Sequence, residues 1–253
     1  MQKENSGSEF NLQSFTVSLE MCNSLELLDA YLKEFAERCG FRWYTLQDVA
    51  IPSDAPSQLL RLTNYPEMLW DEYDQNGFAR FDPIIKALEY TGRVLVWRDI
   101  RDIIDLSKRQ TRVLDEAEQA GIQEGVSVSV RLPGQYNGLM TLISDQSVDF
   151  PADRRAWMSF IAPIAYEVAA RLHTGHSPQQ ALLDNNLSPR QMECLILVAK
   201  GKSDWEAAQI LGLSEQTVHR HVEAIRQKLG GRRRAQLVVQ ALHRGIISYR
   251  DVL

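Results

Sequence analysis

The sequence predicts an α+β chain in two parts: an N-terminal α/β/α sandwich around an antiparallel sheet, and a C-terminal all-α four-helix domain with a helix-turn-helix. Three observations predict it. Over residues 15–173 helical and strand-like hydrophobic periods interleave and include one hairpin pattern. From residue 187 the period is helical throughout, with caps and glycines punctuating the helices. The charge also changes sign: residues 187–253 hold 11 Lys+Arg against 6 Asp+Glu, a net of +5, which leaves −10 on the other 186 residues. A basic module on an acidic body suggests that one part meets phosphate and the other does not.

The elements follow in order. Ser24 starts a helix in which Leu25, Leu28, Leu32 and Phe35 recur at helical spacing, and Gly40 ends it. Phe41 to Leu46 is aromatic and β-prone. Pro66 opens a short helix through Asn76, and Pro83 opens another through about Tyr90. Arg93 to Trp97 reads as a buried strand, and Ser107 to Ala120 as a helix stopped by Gly121. Val126 to Leu132 alternates, the residues 133–138 turn the chain, and Leu139 to Ser144 completes the hairpin. A long amphipathic helix, Asp153 to His173, is expected to bend at Pro163. The small, polar stretch at 174–186 is the expected linker to a domain at 187–253.

Downstream, Ser188-Pro-Arg-Gln191 and Ser203-Asp-Trp-Glu206 fit capping boxes closed by Gly201 and Gly212. Ser214 caps a third helix that ends at Gly230, and a fourth runs from about Arg233 to His243. Two helices joined by Gly212-Leu213-Ser214 have helix-turn-helix spacing. In the third helix Val218, Val222, Ile225 and Leu229 fall on one side at about 100° per residue and face the core. The opposite side offers Gln216, Arg220, Glu223 and Gln227 to base edges in a major groove. On the flanks, His219 and Arg226, with Thr217, His221 and Lys228, suit phosphates. The structural reading of the same pattern is a four-helix domain with a solvated polar face.

Composition excludes several classes. With 253 residues, 44% hydrophobic and 24% charged, the chain has the make-up of a soluble globular protein. Its N-terminus, MQKENSGSEFNLQS, has no signal-peptide pattern, and no apolar run reaches the ~18 residues of a membrane span. Cys22, Cys39 and Cys194 lack metal-site spacing and fit a reduced, cytoplasmic setting. No histidine precedes His173, and no nucleophile motif, phosphate loop or metal cluster is present, so neither an enzyme nor a bound cofactor is expected. A receiver domain would need an acidic pair after its first strand, which Phe41 to Asp48 does not offer, and a parallel sheet.

The residues Leu187-Ser-Pro-Arg-Gln-Met-Glu-Cys-Leu195, Ala199 to Ser203, Ala207 to Leu211, Leu213 to Val218, His221, Ile225 and Lys228-Leu229 resemble the LuxR-type DNA-binding domain. Gln191 stands where that family usually has Glu, which should keep the cap and change one side-chain contact. Upstream, Tyr65-Pro66, Tyr73, Asp82-Pro83, Trp97, Gly121 and Thr141 resemble in order and spacing the autoinducer-binding domain of acyl-homoserine-lactone receptors, over about residues 20 to 170. Each also has a structural reading: Asp82-Pro83 is an N-cap and N1 pair, Trp97 a core residue and Tyr73 half-buried filler.

The resemblance implies a ligand-dependent transcription factor and assigns roles. Asp82 would accept the ligand's amide N–H. Tyr65 or Tyr73, and Ser127 or Thr141, would donate to its carbonyls, and Trp43, Leu46, Ile84, Trp97, Val128 and Leu139 would sheathe the acyl chain. The family usually carries Trp four residues before the second Tyr. Here that position is Leu69, and the Trp is at Trp70, turned by about 100°. The ligand is therefore an acyl-homoserine lactone or a different small amphiphile. One module over residues 187–253 presents few base contacts, so a homodimer on an inverted-repeat DNA operator is expected, with RNA polymerase a further partner if the protein activates and no membrane partner.

Overall fold

A computed structural model of the chain describes residues 10–49, 59–131, 137–175, 187–230, 233–243 and 246–252. Backbone contacts divide them into two compact units, the first ending at Gly175.

The first unit is a five-stranded antiparallel sheet flanked by helices. Along the chain come α1 (Leu12–Glu20), α2 (Leu25–Arg38), β1 (Trp43–Val49), β2 (Arg61–Thr63), α3 (Glu67–Gln75), α4 (Pro83–Leu88), β3 (Leu95–Val96), α5 (Lys108–Gln119), β4 (Glu124–Val130), β5 (Asn137–Ser144) and α6 (Ala152–Thr174). The strand order is β2-β1-β5-β4-β3. Registers Leu46↔Met140↔Val128 and Thr45↔Thr141↔Ser127 fix which side chains share a face.

One face of the sheet meets α2 and α6. Tyr44 donates to Asp29 of α2, and Tyr166 of α6 donates to Asp48 at 2.5 Å. Tyr166 lies where a Cβ on Gly138 would sit, 2.6 Å from that point, so β5 needs glycine there. On the other face the Trp97 ring occupies the same kind of gap over Gly125, 2.3 Å from an added Cβ. The alternation of Val126, Val128 and Val130 with Ser127 and Ser129 is therefore a division between two covered faces, not between core and water: all three valines and Ser127 are buried.

Several sequence expectations change. The strand expected over Arg93 to Trp97 contains only Leu95–Val96, because Trp97 opens a 3₁₀ helix, Trp97–Asp102, that lays its ring over Gly125. Helix α1 was not anticipated. Asn11 caps it at 2.9 Å through the N–H of Ser14, and buried Phe15 and Leu19 hold it by tertiary packing. Edge strand β2 is three residues long, too short to show a period. Of the turn expected over 133–138, residues 133–136 lie outside the described residues and Asn137 and Gly138 already belong to β5; most of the expected linker, 176–186, also lies outside them, while His173 and Thr174 end α6 and Gly175 closes it at φ 71°.

The second unit holds α7 (Pro189–Ala199), α8 (Asp204–Leu211), α9 (Glu215–Leu229), α10 (Arg234–His243) and a short α11 (Tyr249–Val252) beyond the four expected helices. Both capping boxes form, Ser188 with Gln191 and Ser203 with Glu206. Gly212 at φ 65° makes the sharp turn between α8 and α9 that a residue with a Cβ would resist. Val218, Val222, Ile225 and Leu229 join Cys194, Leu195 and Leu237 in one buried core, which turns the opposite face of α9 outward.

Candidate functional site

A cavity lies between the sheet and α3, α4 and α5; the centre of a water molecule can range over about 120 Å³ of it. Thr45 and Gln47 of β1 and Leu139, Thr141 and Ile143 of β5 form the floor. The helical side supplies Leu69, Trp70, Glu72 and Tyr73 from α3, and Val113, Leu114, Glu116 and Ala117 from α5. Tyr65, Phe78, Asp82, Ile84, Trp97, Ala120 and Ile122 complete the wall. Glu72 and Ala120 are its exposed members, so the mouth opens where α3 faces the end of α5.

The sequence-predicted residues Tyr65, Leu69, Trp70, Tyr73, Asp82, Ile84, Trp97, Leu139 and Thr141 thus come together. Leu46 and Val128 do not: their register places them on the α2/α6 face, 180° from the cavity by the pleat. Trp43 shares the cavity face but stops short of the wall, packed edge-on against Tyr65 at 5.7 Å. Ser127 lies behind the wall. Reading the residues missed Thr45, Gln47, Glu72, Phe78, Ala120, Ile122, Ile143 and the α5 contribution; the i, i+4 pair Val113 and Ala117 was the available signal for α5.

Asp82 is both cap and cavity wall. One carboxylate oxygen accepts from the Ile84 N–H at 2.7 Å, and the other accepts from the Tyr73 hydroxyl at 2.6 Å. Burial pushes its carboxyl above the usual range, although the Tyr73 hydroxyl and the N–H groups of Ile84 and Ile85 pull the other way. Burial and the Asp82 charge raise Tyr73, and burial with nearby Glu72 pushes Tyr65 up to about 12. Both phenols therefore keep their protons at neutral pH.

A second polar chain crosses the floor: Trp97 Nε1 donates to Ser127 Oγ at 2.9 Å, and Ser127 Oγ lies 2.9 Å from Thr141 Oγ1. Trp70 borders the cavity despite its one-residue displacement from the expected position. It is clamped edge-on between Tyr65 and Tyr73, with the Arg61 guanidinium 4.3 Å over its ring. Its Nε1 is buried and has no hydrogen-bond partner among the described residues.

In the second unit, Gln216, His219, Arg220, Gln227 and Lys228 are exposed along α9, and Thr217, His221, Glu223 and Arg226 are half-buried. Several are already engaged. Asp204 of α8 accepts from Arg234 at 2.5 Å and lies 3.0 Å from His219 Nδ1. Burial raises the Asp204 carboxyl, but those two partners outweigh it and hold the group below its ordinary range. Arg226 pairs with Glu223 at 3.1 Å. Gln191 Oε1 accepts from Lys228 Nζ at 3.0 Å and from the Ser188 N–H at 3.0 Å.

Comparison with known proteins gives the same division. Residues 24–172 match the family described as autoinducer binding domain, and residues 185–241 match that of bacterial regulatory proteins, luxR family. The transcriptional activator VanR of Vibrio anguillarum is 30% identical over 78% of this chain and 81% of its own length. The quorum-sensing-dependent regulator RpaR of Rhodopseudomonas palustris is 28% identical over 91% and 94%. The crystal structure of Escherichia coli SdiA superposes with a TM-score of 0.75 at 22% identity, covering 93% of this chain and 97% of that one. A complex of SdiA with octanoyl-rac-glycerol gives 0.71 at 21% identity, covering 94% and 95%.

Proposed function

The chain belongs to the LuxR-type family of transcriptional regulators that join an autoinducer-binding domain to a helix-turn-helix, and on that premise we propose that an acyl-homoserine lactone, held in the cavity, governs its binding to an operator. The observation that carries the ligand class is Asp82. Its carboxylate stands at an otherwise largely apolar wall with only neutral donors on it, and each oxygen keeps lone-pair capacity for a ligand amide N–H. Trp97 can only donate, so Ser127 accepts from it and can pass its own proton to Thr141. The Thr141 hydroxyl is then available to donate to a ligand carbonyl. Tyr65 supplies a second protonated hydroxyl on the same wall.

The displaced indole supports a second reading. With Leu69 at the usual donor position and Trp70 Nε1 buried, a ligand whose head is not a lactone fits the same wall, and SdiA accepts octanoylglycerol. Organic extracts of the purified full-length protein, expressed beside candidate lactone synthases and analysed by mass spectrometry, separate the two. A retained lactone supports the first reading; a retained acylglycerol, with no lactone bound in titration, overturns it.

Operator contact falls to α9, with Gln216, Arg220, Glu223 and Gln227 toward base edges and Thr217, His219, His221, Arg226 and Lys228 toward phosphates. The functional form is a homodimer on an inverted repeat, with α6, where Phe160 is 53% exposed, contributing to the contact. RNA polymerase is the further partner if the protein activates. Among the described residues no helix is long and apolar enough to cross a membrane, in keeping with action on cytoplasmic DNA.

A further inference from the structure

We propose that Asp204 is a positioning residue for DNA binding: it fixes the tautomer of His219 so that the imidazole meets phosphate only after taking up a proton, and affinity for duplex DNA rises as pH falls. The inference rests on the operator reading above and adds when one of its contacts forms. Asp204 stands in the first turn of α8 with its side chain 18% exposed, and each of its oxygens has a partner. Oδ1 accepts from Arg234 of α10 at 2.5 Å, and Oδ2 lies 3.0 Å from His219 Nδ1. A carboxylate held by a guanidinium can only accept. The shared hydrogen therefore sits on Nδ1, and in the neutral ring Nε2 keeps a lone pair.

A lone pair there suits the wrong partner. The His219 side chain is 61% exposed, on the flank of α9 that the operator reading gives to phosphates. A phosphate diester carries no proton near neutral pH, so its oxygens also only accept, and neutral His219 has nothing to donate to them. Contact needs a second proton, on Nε2. The ring then donates to Asp204 from one nitrogen and to phosphate from the other, each a charge-assisted bond. The remaining charged groups around this contact leave that balance in place. On α9, Glu215 and Glu223 stand one turn before and after His219, with Glu223 paired to Arg226 at 3.1 Å, and Arg220 follows it in sequence. On α8, Glu206 pairs with Lys202 at 3.4 Å. On α7, Glu193 pairs with Arg190 at 2.8 Å, and burial keeps the Cys194 thiol protonated.

The test measures the affinity of the full-length protein for a mixed-sequence DNA duplex long enough for two half-sites, from about pH 6 to 8 at constant ionic strength. The readout is the slope of log affinity against pH, compared between proteins so that groups titrating in all of them cancel. One proton taken up per contact steepens the wild-type slope by up to about one log unit per pH unit. His219→Gln should lose that share. His219→Lys should lose it too, while binding at the alkaline end about as tightly as wild type binds at the acid end. Asp204→Asn is the most telling variant. Its amide carbonyl still accepts from Arg234, and its NH₂ group donates to Nδ1, which moves the ring proton to Nε2 and lets the neutral ring meet phosphate. Affinity at the alkaline end should then rise about three- to ten-fold, with a flatter slope. An equal loss at every pH in Asp204→Asn would mark a residue that only braces the fold, and overturns the proposal. Nitrogen-15 NMR of histidine-labelled wild type without DNA should find the neutral ring's proton on Nδ1. A proton on Nε2 there, or a slope that folded variants leave unmoved, overturns the proposal alone. If wild type binds no duplex at any pH, the operator reading falls and this inference with it.

Discussion

Asp82 is pulled in two directions. As a helix cap it wants a charge or a carbonyl toward the Ile84 N–H, and as a buried group it resists ionisation. Its carboxyl titrates above the ordinary range, so the stability it contributes is full at low pH and is lost as pH rises through that raised value. Asp82→Asn removes the cost of the charge and caps about as well. Thermal melts from pH 4 to 8 should therefore show a variant as stable as wild type or more so at neutral pH. Ligand response should move the other way, because a hydrogen bond to a charged group contributes about 1.5–3 kcal/mol against about 1 for a neutral one, a shift of roughly ten-fold. A reporter dose–response curve that Asp82→Asn leaves in place would reduce the residue to a cap. Leu69→Trp examines the same wall from the other side: an indole at the usual position should sharpen the response to acyl-homoserine lactones, measured with the same reporter.

Among the elements, strands β4 and β5 depend on two glycines that each yield their space to an aromatic ring. Gly125→Ala would put a methyl 2.3 Å from the Trp97 ring, forcing the ring outward and breaking its bond to Ser127. We expect a loss of about 1–3 kcal/mol in denaturant unfolding, the usual cost of overpacking. Helix α9 turns Val218, Val222, Ile225 and Leu229 into the core and leaves Arg220 and Lys228 exposed. Arg220→Ala, on the exposed face, should cost roughly 1–3 kcal/mol at the operator and relax sequence preference if the guanidinium makes a bidentate base contact. Lys228→Ala should weaken specific and non-specific DNA alike, with the added loss of its bond to Gln191. Competition titrations with operator and random duplex distinguish the two, and equal losses on both duplexes for Arg220→Ala would contradict its assignment to the bases.

At the scale of the whole molecule, the two units have separate cores and opposite charge. The segment 187–253 closes its own core from Cys194 to Ile247, so it should fold alone and bind duplex DNA weakly. Its affinity should fall steeply with salt, because lysine and arginine contacts to phosphate release counterions. The intact protein should occupy an inverted repeat as a dimer. Sedimentation that finds one protomer on a single half-site at saturating ligand would remove that proposal.

The sequence alone determined the main helices of both units other than α1, the hairpin strands, the charge division and the inward face of α9. Each is set by residues within a few positions of one another, where period and capping chemistry act. It also singled out Asp82, Tyr73 and Trp97, through their resemblance in order and spacing to an autoinducer-binding domain. Only the tertiary structure decided which of the apolar residues meet around the cavity. Leu46 and Val128 look no different in sequence from Leu139, yet strand register sends them to the other face of the sheet. Strand β2 is too short to show a period, and what orders α1 and brings α5 to the cavity is packing against residues distant along the chain. Trp70 shows the limit most plainly. Helical geometry turned it about 100° from the expected donor position, but its neighbours Tyr65, Tyr73 and Arg61 settled where the ring lies and left its N–H buried without a partner among the described residues.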